Sequence, residues 1–242
     1  MGNQSILAIT KQTRIIQPFA ESAGVLPFDF SSRLLKQDLT VDFKKSSRLP
    51  FSSVQKVGAD EVIQGVKAGV FRAGIVGYDT LAEYAGEIEP DKIADALGIM
   101  IAKRSDIARC AFKLLFPRPN MDVKDISERD TIATSYPRIL EASLRACGRP
   151  MPAIQTVSSG VEGYVGLLSF QDPSRRITAA FDLVETGGTA KANGLFPDGE
   201  IFSSFACAIA RSGDEKALSV MEQQWYMRRM TGLFANDRPL VA

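Results

Sequence analysis

The stretch that most constrains the fold is 179–195, A-A-F-D-L-V-E-T-G-G-T-A-K-A-N-G-L. Ala179, Ala180, Phe181, Leu183 and Val184 read as a buried strand that runs straight into adjacent glycines flanked by threonines. Gly187 and Gly188 can take φ > 0 and turn main-chain N–H groups inward, while Thr186 and Thr189 add hydroxyl donors. A short helix starting near Thr189 would aim its leading N–H groups and positive dipole end at the same spot. The stretch therefore predicts an anion cradle at the C-terminal end of a strand. Glycine-rich strand-to-helix turns also serve as plain tight connections, and spacing alone leaves both open. The turn is neither a Walker A loop, since no Gly-Lys-Ser/Thr follows, nor G-x-G-x-x-G.

Around this turn the chain alternates strand and helix signals. Residues 5–9 (S-I-L-A-I) read as a buried strand, followed by a polar turn and by Ile15, Ile16, Phe19, Ala20 and Ala23 at helical spacing up to Gly24. Lys11 and Arg14 sit in the turn, where α/β chains meet their ligands, although solvated surface cations give the same pattern. Strands are expected at 39–43, 54–57, 73–77, 97–103, 110–116, 131–136, 153–157 and 200–211. Helices are expected over 58–69, 78–85, from Pro137 to the Gly148 stop, and over 214–234, with 87–95 a polar surface connection. Repeated β-α-β units predict an α/β fold with mixed, largely parallel sheets. The terminal helix carries Leu218, Met221, Trp225, Met230 and Leu233 on one broad face, which suits core or a subunit contact.

Composition narrows the chemistry. With 242 residues and 45% hydrophobic content the chain can bury one large core or two smaller ones. A net charge of +1 supplies no global field for nucleic acid or an anionic membrane, so any anion binding is local. Cys110, Cys147 and Cys207 are an odd number without metal-ligand spacing, which fits a reducing cytoplasm, and Cys110 reads as a core thiol. No secretory leader and no apolar run of spanning length is expected. The chain contains no histidine, which removes His-based triads, general bases and metal ligands.

D-L-V-E-T-G-G-T-A-K-A-N-G-L at 182–195 resembles the phosphoribosyl-diphosphate loop of the ATP phosphoribosyltransferase family, whose members read D-L-V-x-T-G-x-T-L-x-x-N-G-L. T-I-A-T-S-Y-P at 131–137 is similar to that family's I-A-T-x-Y-P, and S-S-G-V-E at 158–162 to its N-G-S-V-E. K-Q-T-R-I at 11–15 and Arg48-Leu49 resemble its K-x-x-R-[LI] turn and R-L segment. The resemblance implies a two-lobed fold like the type II periplasmic solute-binding proteins, with lobe I at 1–104 plus 201–242, lobe II at 105–200, and a cleft between. It further implies transfer of 5-phosphoribosyl from phosphoribosyl diphosphate to ATP with Mg²⁺ carried on the leaving diphosphate. Thr186, Gly187, Gly188 and Thr189 would then hold the 5′-phosphate, and Asp182 and Glu185 the ribose hydroxyls and the neighbourhood of the substrate-borne Mg²⁺. Lys11, Arg14 and Arg48 would neutralise the polyphosphates, and Glu162 would face the cleft, although a first-turn acid needs no function.

The first lobe departs from the family pattern. Gly58 stands where relatives have an arginine, Arg72 where they have a carboxylate, the basic residue near Cys110 is Arg109 rather than position 111, and Thr178 replaces an acid four residues before Asp182. A guanidinium in place of a carboxylate reverses the local potential, so Arg72 is expected to reshape the acceptor site. A different nitrogenous acceptor, or a non-catalytic binding protein on the same scaffold, are the alternatives. By its length the chain resembles short-form members, which lack the regulatory domain and work with a subunit resembling histidyl-tRNA synthetase. A homodimer at least, and such a heteromeric partner, are therefore expected.

Overall fold

Leu7, Ala8 and Ile9 are wholly buried, because β1 (Ile6–Thr10) runs through the middle of a sheet covered on both faces. In this computed structural model, residues 6–12, 15, 40–42, 51–102, 108–158, 160, 161, 163, 165, 177–184, 187–219 and 222 are described. The expected helix after Ile15 and most of the expected terminal helix, with Met221, Trp225, Met230 and Leu233, lie outside these residues. The chain forms two compact units, one of Met1–Leu81, Ala94–Ala108 and Phe205–Ala242, the other of Ala82–Ile93 and Arg109–Ser204.

In the first unit β1 pairs in parallel with β3 (Ser53–Val57) and β4 (Ala73–Gly77). With β2 (Thr40–Asp42), β5 (Ile99–Ile101) and β11 (Ala206–Arg211) the order is β2-β3-β1-β4-β11-β5. β2 and β11 run antiparallel to their neighbours. Helix α1 (Ala59–Lys67) connects β3 to β4 and buries Val62, Ile63 and Val66 at helical spacing. Gly58 caps its start, its N–H donating to Glu61 Oε2 at 2.6 Å. The helix approaches β4 so closely that a Cβ on Gly74 would lie 2.4 Å from Val62 Cγ1. Gly74→Ala should therefore cost about 1–3 kcal/mol through overpacking, read as a lower denaturant midpoint with unchanged slope. A wild-type midpoint would contradict this packing.

The second unit holds a five-stranded sheet, β10-β6-β9-β7-β8, built from β6 (Cys110–Phe116), β7 (Thr131–Thr134), β8 (Ala153–Thr156), β9 (Ile177–Val184) and β10 (Phe196–Ser204). β9, β7 and β8 are parallel, whereas β6 runs antiparallel to β9 and to β10. Phe112 packs against Tyr136, Phe181 and Phe202 at ring separations of 4.8, 5.6 and 5.6 Å. On the other face Leu115, Ala133, Ala180 and Val184 pack with Val161, Val165, Ala190 and Leu195. After β7 the chain enters α4 (Pro137–Ala146), with proline in the first turn and Ile139, Leu140 and Leu144 buried. Glu83, in α2 (Tyr78–Ala85), accepts from the Arg138 and Ile139 N–H groups at 3.2 and 2.9 Å, and Arg138 donates to Tyr84 O at 2.7 Å and Ala85 O at 3.3 Å. Each helix end thus caps the other, and burial pushes the Glu83 carboxyl up despite those donors.

Two elements differ from the sequence expectation. The polar connection expected over 87–95 contains α3 (Pro90–Leu97), which buries Ile93 and Leu97, an i,i+4 pair between an initial proline and Gly98 at φ 64°. The single strand expected over 200–211 is two, β10 and β11, which belong to different sheets and meet at Phe205. Phe205 stacks on Tyr78 at 4.8 Å, and its carbonyl accepts from the Tyr78 N–H. Ser203-Ser204 is the one polar interruption in this apolar run, and two small residues do not by themselves distinguish a change of sheet from a continuous strand.

Candidate active site

β7, β8 and β9 are parallel, so their C-terminal ends lie along one edge of the second sheet, the edge where α/β sheets place ligands. Along it, Thr134 Oγ1 accepts from the Tyr136 N–H at 2.8 Å, and the Ser135 hydroxyl donates to Val157 O at 2.7 Å. Asp182, two residues before the end of β9, neighbours this edge.

Beyond β9 the chain turns at Gly187, whose φ of 72° and ψ of 1° are left-handed, into α5 (Gly188–Ala192). Lys191 N donates to Gly187 O at 3.0 Å, the first bond of the helix, and Ala190 and Leu195 anchor it in the core. The left-handed residue is thus Gly187 alone. Gly188, expected to need positive φ as well, is the right-handed first residue of the helix, because one left-handed residue suffices to reverse the chain into α5. Gly188 and Thr189 are exposed, while Glu185, Thr186 and Glu162 lie outside the described residues.

Asp182 is half-buried, and its carboxylate accepts from the Leu183 N–H at 2.8 Å. Burial pushes its carboxyl above the usual carboxylate range, and that hydrogen bond pulls it partly back. Directly across on β6 stands Lys113, which the sequence reading passed over; a lone charge in the apolar run C-A-F-K-L-L-F was the available signal. Thr178 proves to be remote from Asp182, four residues or about 13 Å along the strand. Its hydroxyl donates to the buried Asp130 at 2.6 Å, and Ser127 donates to the same carboxylate through both N–H and hydroxyl. Threonine here serves a buried turn, so its presence does not deplete the carboxylates near Asp182.

In the first unit Lys11 follows β1 and is exposed, its N–H donating to Val57 O at 2.9 Å. Gln12 beside it reaches Thr80 Oγ1 at 3.4 Å. Arg14 and Arg48 lie outside the described residues. Arg72 does not join Lys11. Its N–H donates to Ile6 O, at the start of β1, which puts it at the opposite end of the sheet, five residues or roughly 16 Å from Lys11. Its guanidinium forks onto Asp214, Nε to Oδ2 at 2.9 Å and Nη2 to Oδ1 at 3.2 Å. This corrects the expectation of an acceptor-site cation, since the charge is matched by the turn after β11.

The Arg72 hydrogen bonds hold the Asp214 carboxyl below its ordinary range. A depressed folded-state value stabilises above the unfolded carboxylate value, and this contribution is lost as pH falls through the folded one. Because both side chains are about a third exposed, at 32% and 28%, Arg72→Leu should cost only about 0.2–1 kcal/mol, less at high salt, and leave acceptor preference unchanged. A shift in acceptor preference would return Arg72 to the site.

Two mixed sheets with flanking helices, the second carrying an acid and a glycine turn at the ends of its parallel strands, define an α/β protein of the type II periplasmic-binding class. Structural neighbours bear this out: the ligand-binding core of GluR0 with L-glutamate (11% identity, TM-score 0.53, covering 96% of this chain and 97% of that one) and the ancestral amino-acid-binding protein AncCDT-1 (10%, 0.57, 96% and 92%). A chain of the ATP phosphoribosyl transferase (HisG:HisZ) complex from Thermotoga maritima shares the fold at 18% identity and TM-score 0.55, over 93% of this chain and 99% of that one. Residues 58–230, most of the chain and all of the Asp182–Thr189 turn, match the HisG family, ATP phosphoribosyltransferase. The protein belongs to the ATP phosphoribosyltransferase family. Lys11, Arg14 and Arg48 precede the matched stretch. Among the described residues no helix is long and apolar enough to cross a membrane, and no cluster of three His, Cys, Asp or Glu could hold a metal ion.

Proposed function

We propose that the protein transfers 5-phosphoribosyl from phosphoribosyl diphosphate to a ring nitrogen of ATP and releases diphosphate, the entry reaction of histidine biosynthesis. The observation that carries this reading is family membership over a stretch that contains Asp182 and the glycine turn intact. The acceptor nitrogen's lone pair forms the new bond to the anomeric carbon, and the carbon–oxygen bond breaks with its electron pair leaving on diphosphate. No protein nucleophile and no histidine is required; positioning and electrostatics lower the barrier.

The left-handed Gly187 turn and the first residues of α5, with Thr186 and Thr189, hold the 5′-phosphate. Asp182 and Glu185 receive the ribose hydroxyls, and the resulting contacts fix the anomeric carbon. Lys11, Arg14 and Arg48 face polyphosphate charge, and Glu162 lines the site. Mg²⁺ would enter on the substrate's diphosphate, near Asp182 and Glu185, and would supply charge neutralisation of the leaving group. A different nitrogenous acceptor is the second reading; the pairing of Arg72 with Asp214 weakens one of its supports, while Gly58 and the displaced Arg109 still favour it.

The reaction would take place in the cytoplasm. The Thermotoga neighbour is a HisG:HisZ complex, which supports an assembly with a HisZ-like subunit, and we propose at least a homodimer of this chain within it. The test of substrate is an acceptor panel: phosphoribosyl diphosphate and Mg²⁺ with ATP, other nucleotides or free bases, followed by diphosphate release. ATP should give the fastest release; equal release with and without acceptor, or preference for a free base, overturns the reading.

A further inference from the structure

Lys113 interrupts a strand whose other residues, Cys110 to Phe112 and Leu114 to Phe116, are all buried, and it is itself half-buried. Its register partners are Asp182 on β9 and Glu200 on β10. Directly opposed residues of antiparallel strands share a face with Cβ atoms about 4.5–5.5 Å apart, so Lys113 and Asp182 stand side by side. Yet among the described residues neither neutralises the other: no ion pair joins them, the Asp182 carboxylate is bonded to the Leu183 N–H, and Glu200 accepts the Ser203 hydroxyl. The face they share is the one that carries Leu115, Ala180 and Val184 and on which Ala190 and Leu195 pack, so the segment beyond the Gly187 turn folds over the same side of the sheet. Among the described residues the Lys113 ammonium is paired with neither carboxylate, so its N–H donors are available to an incoming anion.

We infer that Lys113 is a further substrate-positioning residue, whose ammonium receives the diphosphate of the donor while Asp182 beside it receives the ribose hydroxyls. The inference rests on the reaction proposed above. An acid and a cation held adjacent but unpaired match a ligand that presents hydroxyl donors next to an anion, and a ribose bearing a phosphate group has that pattern. Of the donor's two anions the 5′-phosphate is served by the Gly187–Thr189 turn, which leaves the diphosphate for Lys113. A lysine suits this place, being a point charge on a flexible stem that can follow the leaving group.

The test is calorimetric titration of the full chain and of Lys113→Met and Lys113→Arg with three probes: phosphoribosyl diphosphate with Mg²⁺, inorganic diphosphate with Mg²⁺, and ribose 5-phosphate. Lys113→Met should weaken the first two about tenfold or more and leave ribose 5-phosphate unchanged, and Lys113→Arg should restore most of the loss. Should Lys113→Met fail to fold, Lys113→Gln carries the same comparison. Undiminished diphosphate binding in a folded neutral variant overturns the role, as does a loss confined to ribose 5-phosphate. If the wild-type chain binds no phosphoribosyl diphosphate at all, the proposed reaction itself falls, and the role of Lys113 falls with it.

Discussion

Asp182→Asn should slow phosphoribosyl transfer by about two orders of magnitude or more while raising the unfolding midpoint of the protein. The rate effect follows from the role proposed for Asp182: a charged acceptor fixed on a strand strengthens its bonds to the ribose hydroxyls as charge develops at the anomeric carbon. The stability effect follows from burial, which pushes the Asp182 carboxyl upward in the folded protein. A raised folded-state value means that the charged form opposes folding. The stabilisation is fully present below the unfolded carboxylate value and is lost as pH rises through the folded one. Asparagine has no charge to desolvate and can still accept from the Leu183 N–H. Activity of the wild type should rise with pH through the Asp182 value, whereas stability from this group falls over the same window. Thermal unfolding and steady-state rates at several pH values measure both; an Asn variant that is active, or less stable at neutral pH, would show that Asp182 is ordinary packing.

Gly187→Val is expected to abolish donor binding and to destabilise the second unit by about 1–3 kcal/mol, since a β-branched residue is strained at φ 72°. The neighbouring glycine supplies the control. Gly188 is helical, so Gly188→Ala should leave stability unchanged or raise it by up to about 1 kcal/mol, and any loss of binding there reports on space for the anion rather than on the fold. Denaturant unfolding alongside titration separates the two effects. Equal stability of Gly187→Val and wild type would contradict the left-handed turn.

Much of this was legible because the informative signals were local. The apolar strand before Asp182 and the glycines after it specify strand, turn and helix through short-range backbone preferences, and β9, the Gly187 turn and α5 appear where the sequence puts them. Which of two adjacent glycines is left-handed was not legible, since both tolerate either hand. α3 was within reach: Pro90, Ile93, Leu97 and Gly98 form a complete start-to-stop pattern, masked by five intervening or flanking charges that favour a surface reading. Arg72 and Thr178 were misread for a different reason. Their partners, Asp214 and Asp130, are distant in sequence, and a departure from a family pattern does not reveal whether a residue lines a site or supports a turn. Lys113 was missed because its meaning lies in cross-strand register, which one strand's sequence does not contain.

The most direct measurement is mass spectrometry of ATP after incubation with the full chain, phosphoribosyl diphosphate and Mg²⁺, with diphosphate quantified in the same sample. The expected result is ATP carrying one added phosphoribosyl group, formed in equal amount to the diphosphate released and absent with Asp182→Asn. Binding of phosphoribosyl diphosphate without any such adduct would contradict catalysis and leave a family member that binds the donor without transferring it.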